Sequence, residues 1–256
     1  MDIAQSILLG IVQGLTEFLP VSSSGHLVLF QKLFGFQEAP IFFDTLVHFA
    51  TLLAVVFYLR KEIWEILTNL KKNINLIWLL ILGTLPAVVF ALLFKDYIEN
   101  SFNSVWLLSV GFFITAALLF ATKFIGNGKK DMQKINWVDS IIIGIFQAVA
   151  ILPSISRSGA TISSALYRGI KREDAFKFSF LLSIPAIAGA MVLQIFDFNP
   201  GNLNGGFWPN ALGFVFAAVF GFLSLFILER IAQKGKLYYF AIYCFALGGA
   251  ILLFVR

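Results

Sequence analysis

Six stretches of this chain, Ile41 to Leu59, Leu76 to Phe94, Val105 to Ala121, Phe178 to Phe196, Ala211 to Leu228 and Tyr238 to Val255, are apolar almost without interruption. Each is close to the roughly 20 residues that carry a helix across the hydrocarbon core of a bilayer, so the pattern predicts six full transmembrane helices. Composition agrees: 59% of the 256 residues are hydrophobic and only 13% charged, where a soluble domain has about one quarter charged. A water-soluble globule is excluded, and the net charge of +5 reads as a set of topology markers rather than a nucleic-acid surface. The single Cys244 excludes an internal disulfide framework and a multi-cysteine metal site. The N-terminal residues Met1 to Gln5 lack the basic region and cleavage site of a secretory signal and are expected to belong to the fold.

Two more apolar segments, Ile7 to Leu19 and Ile141 to Leu152, are too short to cross, and each ends at a proline followed by a serine-rich turn. They predict re-entrant helix pairs, one in each half. Arg60, Lys61, Lys71, Lys72, Lys123, Lys129, Lys130, Lys134, Arg168, Lys171, Arg172, Lys177, Arg230, Lys234 and Lys236 all fall on one side of this layout. Lys32, Lys95 and Arg256 fall on the other, and Arg157 lies in the second serine turn. By the positive-inside rule the crowded side is cytoplasmic, both termini are outside, and the two short segments enter from opposite faces.

A shift of 134 residues aligns Gly10 with Gly144, Gln13 with Gln147, Ser22 with Ser156, Ser24 with Ser158 and Gly25 with Gly159. The expected architecture is therefore an all-α polytopic membrane protein, a single integral membrane domain over residues 1–256. Six full spans and two re-entrant pairs form inverted-topology repeats at about 1–125 and 135–256. Broken helices in inverted repeats present free backbone N–H groups and positive dipole ends near the membrane interior, which calls for an anionic partner.

The first turn concentrates polar groups in apolar surroundings. Gln13 and Glu17 are four apart and share a helix face. An intramembrane carboxylate is a functional candidate by default, although Glu17 bridging to Arg157 as a structural pair fits the same spacing. Ser22, Ser23 and Ser24 can cap the outgoing half-helix and offer hydroxyls to phosphate oxygens. His26, one turn further, is a candidate acid, base or nucleophile. In the second turn Arg157 stands between Ser156 and Ser158, with Gly159 allowing close backbone approach and Thr161 following. That arrangement suits a multiply charged oxyanion held by a planar fork of donors. Asp44 and His48, four apart in the first full span, are equally well read as a second layer of the site or as a satisfied polar pair. Gly213, Ala217 and Gly221 offer a small-residue face for helix contact, within the chain or in a homodimer. Pro86 and Pro185 predict kinks. No Walker motif, H-E-x-x-H pair or dinucleotide fingerprint occurs.

The two turns resemble the signature motifs of the undecaprenyl-diphosphate phosphatase family, the bacitracin-resistance proteins. Gln13 to His26 is similar to that family's (E/Q)xxxE motif running into F-L-P-V-S-S-[ST]-G-H, and Pro153 to Thr161 to its PGxSRSxxT motif. Ser154 stands where that motif usually has glycine, and Gln13 where many members carry a second glutamate. The resemblance implies hydrolysis of a polyprenyl diphosphate at the outer side of the bacterial inner membrane, regenerating the lipid carrier of peptidoglycan synthesis. It implies Glu17, His26, Arg157 and Ser23 as catalytic residues, with His26, Ser23 or water as nucleophile. Ser22, Ser156, Ser158, Gly159 and Thr161 would bind phosphate. Glu17, helped by Gln13, would hold a divalent cation, magnesium or calcium, or activate water. The other reading of the same anion site is a polyprenyl-phosphate flippase or transporter.

Overall fold

Both short apolar segments begin with the same device. Asp2 accepts a hydrogen bond from the backbone N–H of Gln5, whose side chain accepts in return from the Asp2 N–H, closing a capping box at the start of α1 (Ile3–Phe18). Asn136 and Asp139 make the same reciprocal pair at the start of α8 (Trp137–Val149). The 134-residue shift aligns Asp2 with Asn136 and Gln5 with Asp139. Each helix stops before its proline, and the chain leaves the turn as α2 (Ser23–Phe34) and α9 (Arg157–Tyr167). At 1.5 Å per residue these four helices reach about 16–24 Å, short of the roughly 30 Å hydrocarbon core.

The structure, a computed structural model, describes residues 1–34, 41–196 and 206–254, so the predicted ends Val255 and Arg256 lie outside the described residues. The remaining helices are α3 (Ile41–Tyr58), α4 (Arg60–Thr68), α5 (Leu70–Leu93), α6 (Lys95–Ser101), α7 (Val105–Ala121), α10 (Arg172–Phe196), α11 (Phe207–Gln233) and α12 (Tyr238–Phe254). Among the described residues there is no strand, only an isolated bridge between Lys130 and Ile170. Several of the helices are apolar enough to make this a multi-pass membrane protein. By length and composition four of them can cross: Leu70–Leu93, Val105–Phe124, Arg172–Val192 and Phe207–Gln233. A fifth arises if α3 and α4, bent by 69° at Leu59, are taken together, and α12 has 17 described residues. The expectation of six spans is met only to that extent.

The stretch after α3, which lies between the first and second expected spans, is the helix α4. It buries none of its residues and holds Trp64 and Leu67 exposed on the same short helix as Arg60, Lys61, Glu62 and Glu65. That is the pattern of a helix lying in the membrane interface.

Helix approach is set by glycine. A Cβ on Gly10 would come within 2.4 Å of the Gly213 carbonyl oxygen, and one on Gly144 within 2.4 Å of the Gly83 carbonyl oxygen. Thus α1 lies against α11 as α8 lies against α5, backbone to backbone, in positions that the 134-residue shift relates. The small-residue face of α11 is consumed within the chain: Gly213 meets α1 and Phe43 of α3, and Ala217 and Gly221 meet Gly14. It is not free to serve as a dimer seam. The third close pair is α7 with α12, where the Ser109 hydroxyl donates to the Gly248 carbonyl at 2.6 Å.

The basic segments gather at one end. Asp139, fully buried, accepts from Lys130 Nζ at 3.0 Å and Arg168 Nε at 2.8 Å, which ties the 122–136 connection to the end of α9. Lys177 of α10 reaches Glu62 of α4 at 3.5 Å, and the Arg172 guanidinium lies over Gly235 between α11 and α12. Opposite that end, the outer surface of α5 presents Leu85, Val89 and Leu93, as expected of a lipid-facing wall.

Candidate functional site

Pro20 and Pro153 end α1 and α8, and each following turn contains a serine in the left-handed backbone region, Ser22 at φ 68° and Ser154 at φ 62°. Beyond the turns the two half-helices start alike. The Ser22 hydroxyl accepts from the Gly25 N–H at 3.5 Å and pairs with the Ser24 hydroxyl at 3.2 Å. The Ser156 hydroxyl accepts from the Gly159 N–H at 3.1 Å and pairs with the Ser158 hydroxyl at 3.2 Å. Serine at this position satisfies one of the orphan N–H groups of a helix start. The residue after each cap is the one that differs in chemistry: Ser23 in α2, Arg157 in α9. Thr115 of α7 pins the second turn by donating to the Ser154 carbonyl and accepting from the Ser156 N–H, both at 3.0 Å.

Ser154 occupies the position where glycine costs least, since a Cβ in the left-handed region is penalised by roughly 1–2 kcal/mol. Its hydroxyl is also buried with no hydrogen-bond partner. Ser154→Gly is therefore expected to raise stability by about 1 kcal/mol, after allowing for the extra freedom of glycine in the unfolded chain. Thermal unfolding in detergent reads this directly, and a lower midpoint would contradict it.

The turns meet at Glu17. Its Oε1 accepts from Arg157 Nη2 at 2.5 Å; its Oε2 accepts from the Ser23 hydroxyl at 2.6 Å and from Gln13 Nε2 at 3.1 Å. The carboxylate side chain is 7% exposed and the guanidinium side chain 17%, so this is an ion pair withdrawn from solvent but reachable from one side. That side is a cavity of about 500 Å³. Glu17, Ser22, Ser23, Ser24, Ser156, Arg157, His48 and Gln147 form its polar end. Apart from Thr84 the rest is apolar, including Ala87, Val88, Ala91 and Leu92 of α5, Pro185 to Ile187 and Gly189 to Met191 of α10, and Ile98 and Phe102. Two helix N-termini, those of α2 and α9, thus open on one chamber, and their free N–H groups and dipoles favour an anion there.

Not every residue expected in the site faces this chamber. The His26 ring is 4% exposed and held against Phe112 and Tyr243 of α7 and α12. Its Nδ1 is 2.7 Å from the Ser22 carbonyl, which can only accept, so the proton is on Nδ1 and Nε2 accepts from the Tyr243 hydroxyl at 2.6 Å. Four residues beyond Ser22, the ring follows the face of α2 that turns toward α7 and α12, so the expectation of an imidazole from α2 in the shared pocket is corrected. Thr161 also turns away: it donates to the Arg157 carbonyl at 2.8 Å and accepts from the Ser179 hydroxyl at 2.5 Å. Ser158 and Gly159 are buried beneath the turn, where a Cβ on Gly159 would stand 3.3 Å from Pro20 of the other turn. Gln13 is fully buried and reaches the site only through Glu17.

The imidazole on the chamber wall is His48. Its Nδ1 donates to the Asp44 carbonyl at 2.8 Å, which turns Nε2 to within 3.9 Å of Glu17 Oε2. Gln147 is the other residue that the motifs did not single out. The available signals were a histidine in the middle of an apolar span and a glutamine matched to Gln13 by the 134-residue shift.

The family model for bacitracin resistance protein BacA matches residues 6–250 of the chain. The chain is 45% identical over 255 residues, 98% of its length and 97% of the relative's, to the undecaprenyl-diphosphatase of Carboxydothermus hydrogenoformans. It is 44% identical over 253 residues to undecaprenyl-diphosphatase 3 of Bacillus cereus, at 98% and 97% coverage. It is also 39% identical over 257 residues to the undecaprenyl-diphosphatase of Methanococcus maripaludis, at 98% and 100% coverage.

Proposed function

The chain belongs to the bacitracin resistance protein BacA family and is a membrane phosphatase that hydrolyses undecaprenyl diphosphate, and we propose that it does so in the chamber between the two serine turns. The observation that carries this placement is the Ser23 hydroxyl donating at 2.6 Å to a carboxylate that Arg157 of the opposite turn holds in place. A nucleophile within hydrogen-bond reach of a base, with the base oriented by a third group, is the arrangement that activates a hydroxyl.

The lipid diphosphate enters with its terminal phosphate at the N-termini of α2 and α9. The Arg157 fork and the Ser22 and Ser156 hydroxyls face the phosphoryl oxygens, where charge is spread in the transition state. Ser23 Oγ attacks the terminal phosphorus as its proton passes to Glu17. The bond to the bridging oxygen breaks and undecaprenyl phosphate leaves. Glu17 gives up that proton to solvent, takes one from the water that attacks the seryl phosphate and hands it to the departing Ser23 oxygen, and inorganic phosphate leaves. His48, 3.9 Å from Glu17, biases the charge of that carboxylate. The apolar gallery between α5 and α10 receives the first isoprene units, and Pro86 and Pro185 within these two helices loosen the wall there.

A divalent cation, magnesium or calcium, suits the donor set. Glu17 lines the chamber, and hard cations combine carboxylate oxygens with substrate phosphates. Among the described residues no group of three or more His, Cys, Asp or Glu gathers, so Glu17 would hold the ion together with the diphosphate, with Gln13 behind it orienting the carboxylate. When bound it neutralises diphosphate charge.

The two halves are inverted repeats. Support comes from the paired capping boxes, the paired serine caps and the matched glycine contacts of α1 and α8. The chamber opens toward the outer side of the inner membrane, since the halves of α5 and α10 that line it lie away from the basic end. Regeneration of the carrier for cell-wall synthesis follows from that sidedness. Purified protein in liposomes carrying undecaprenyl diphosphate is expected to release inorganic phosphate in the presence of magnesium or calcium. Transfer of intact lipid between leaflets without phosphate release would replace hydrolysis by transport.

A further inference from the structure

Gln147 lies in α8 on the wall of the chamber, with 2% of its surface exposed, and neither its amide nitrogen nor its amide oxygen has a hydrogen-bond partner. Its counterpart in the first half, Gln13, spends its N–H on Glu17 four residues later. Four residues after Gln147 stands Ile151, which offers nothing. A carboxamide buried and unpaired costs about 1–3 kcal/mol, and apolar residues of similar size would avoid that cost entirely. Such a group is explained when a ligand completes it.

The packing of α8 says which part of the ligand. Gly144 touches Gly83 of α5, and Thr84 and Ala87, the residues of α5 just beyond, line the chamber together with Gln147, Ala150 and Ile151. Gln147 is therefore on the α5 side, where the apolar gallery begins. Ser23, Glu17 and Arg157 take the terminal phosphate at the meeting of the turns. We propose that Gln147 is a substrate-binding residue whose carboxamide N–H donates to the lipid-side phosphate, the one that stays on the product. This rests on the phosphatase reading above. It assigns to Gln147 the recognition of a second phosphoryl group, so that a polyprenyl diphosphate is held at both phosphates.

The test compares wild type with Gln147→Leu and Gln147→Glu in detergent. With undecaprenyl diphosphate as substrate, KM is expected to rise about tenfold in both variants, with kcat changed less than threefold. Inhibition by undecaprenyl phosphate should weaken by a similar factor while inhibition by inorganic phosphate is unchanged. Without ligand, Gln147→Leu should unfold at a higher temperature than wild type, because the orphaned amide is gone. Unchanged KM and unchanged inhibition by undecaprenyl phosphate overturn the proposal, as does a loss confined to inhibition by inorganic phosphate. If Gln147→Leu fails to fold, Gln147→Glu alone decides, since it keeps the shape and removes the donor. A thermal shift of wild type by undecaprenyl phosphate, absent in the variants, measures the contact without hydrolysis. Wild type that shows this shift but releases no phosphate would refute the phosphatase reading and leave the contact standing.

Discussion

Ser23→Ala is expected to lower kcat for undecaprenyl diphosphate by about 10³-fold or more with little change in KM. The alanine keeps the helix start, because the cap of α2 is Ser22 and not Ser23. It keeps the Arg157 and Gln13 bonds to Glu17 as well. What it removes is the one hydroxyl that donates to Glu17 from the chamber side. Loss of an activated nucleophile costs several powers of ten because the remaining groups cannot act without it. Loss of one hydrogen bond to phosphate costs about tenfold. The two roles are thus separated by two orders of magnitude in an ordinary phosphate-release assay. Mass spectrometry of acid-quenched wild type should find phosphate on Ser23. Residual activity within tenfold of wild type would return the attack to water, with Glu17 as its base.

The sequence was legible where one physical constraint acts on many residues at once. Apolar length separates α5, α7, α10 and α11 from everything soluble, and the prolines with serines behind them mark both breaks. It was less legible where burial depends on neighbours. Arg60 to Thr68 passes as the charged ground between two spans, yet Ile63, Trp64 and Leu67 are spaced for a helix. In the site, Glu17, Ser23 and Arg157 were legible because each is an expensive or cap-forming residue in an apolar context. The two histidines show the limit. His26 is next to the serines in sequence, and His48 is more than twenty residues away. Helical phase decides between them: the fourth residue after Ser22 follows the α2 face against Tyr243, whereas α3 crosses beside Glu17 and offers His48. Chain proximity carries no information about that rotation without the partner helices. Ser154 is the opposite case. The serine-for-glycine departure from the family motif was visible, and the positive φ at that residue explains why glycine is usual there.

Arg157 and Glu17 couple stability to catalysis. Arg157→Met is expected to abolish phosphate release and also to cost about 3–5 kcal/mol of folding stability, because it leaves a buried carboxylate with no cation at its Oε1. Glu17→Gln in the same chain should recover most of that loss, since a neutral amide needs no counter-charge and keeps partners in Ser23 and Gln13. Activity should not return with it. The comparison discriminates between the two meanings of the pair that the sequence left open. If the ion pair served only to join the turns, the stable double variant would retain the Ser23 hydroxyl, the helix N-termini and the chamber, and hydrolysis would survive within about tenfold. If Glu17 takes the Ser23 proton and Arg157 faces the phosphate, the double variant is folded and inactive. Chemical unfolding in detergent and phosphate release on the same three preparations read both quantities. Arg157→Lys sharpens the result: a point charge preserves the neutralisation of Glu17 and most of the stability. It cannot present a planar fork to carboxylate and phosphate together, and kcat/KM is expected to fall about 100-fold.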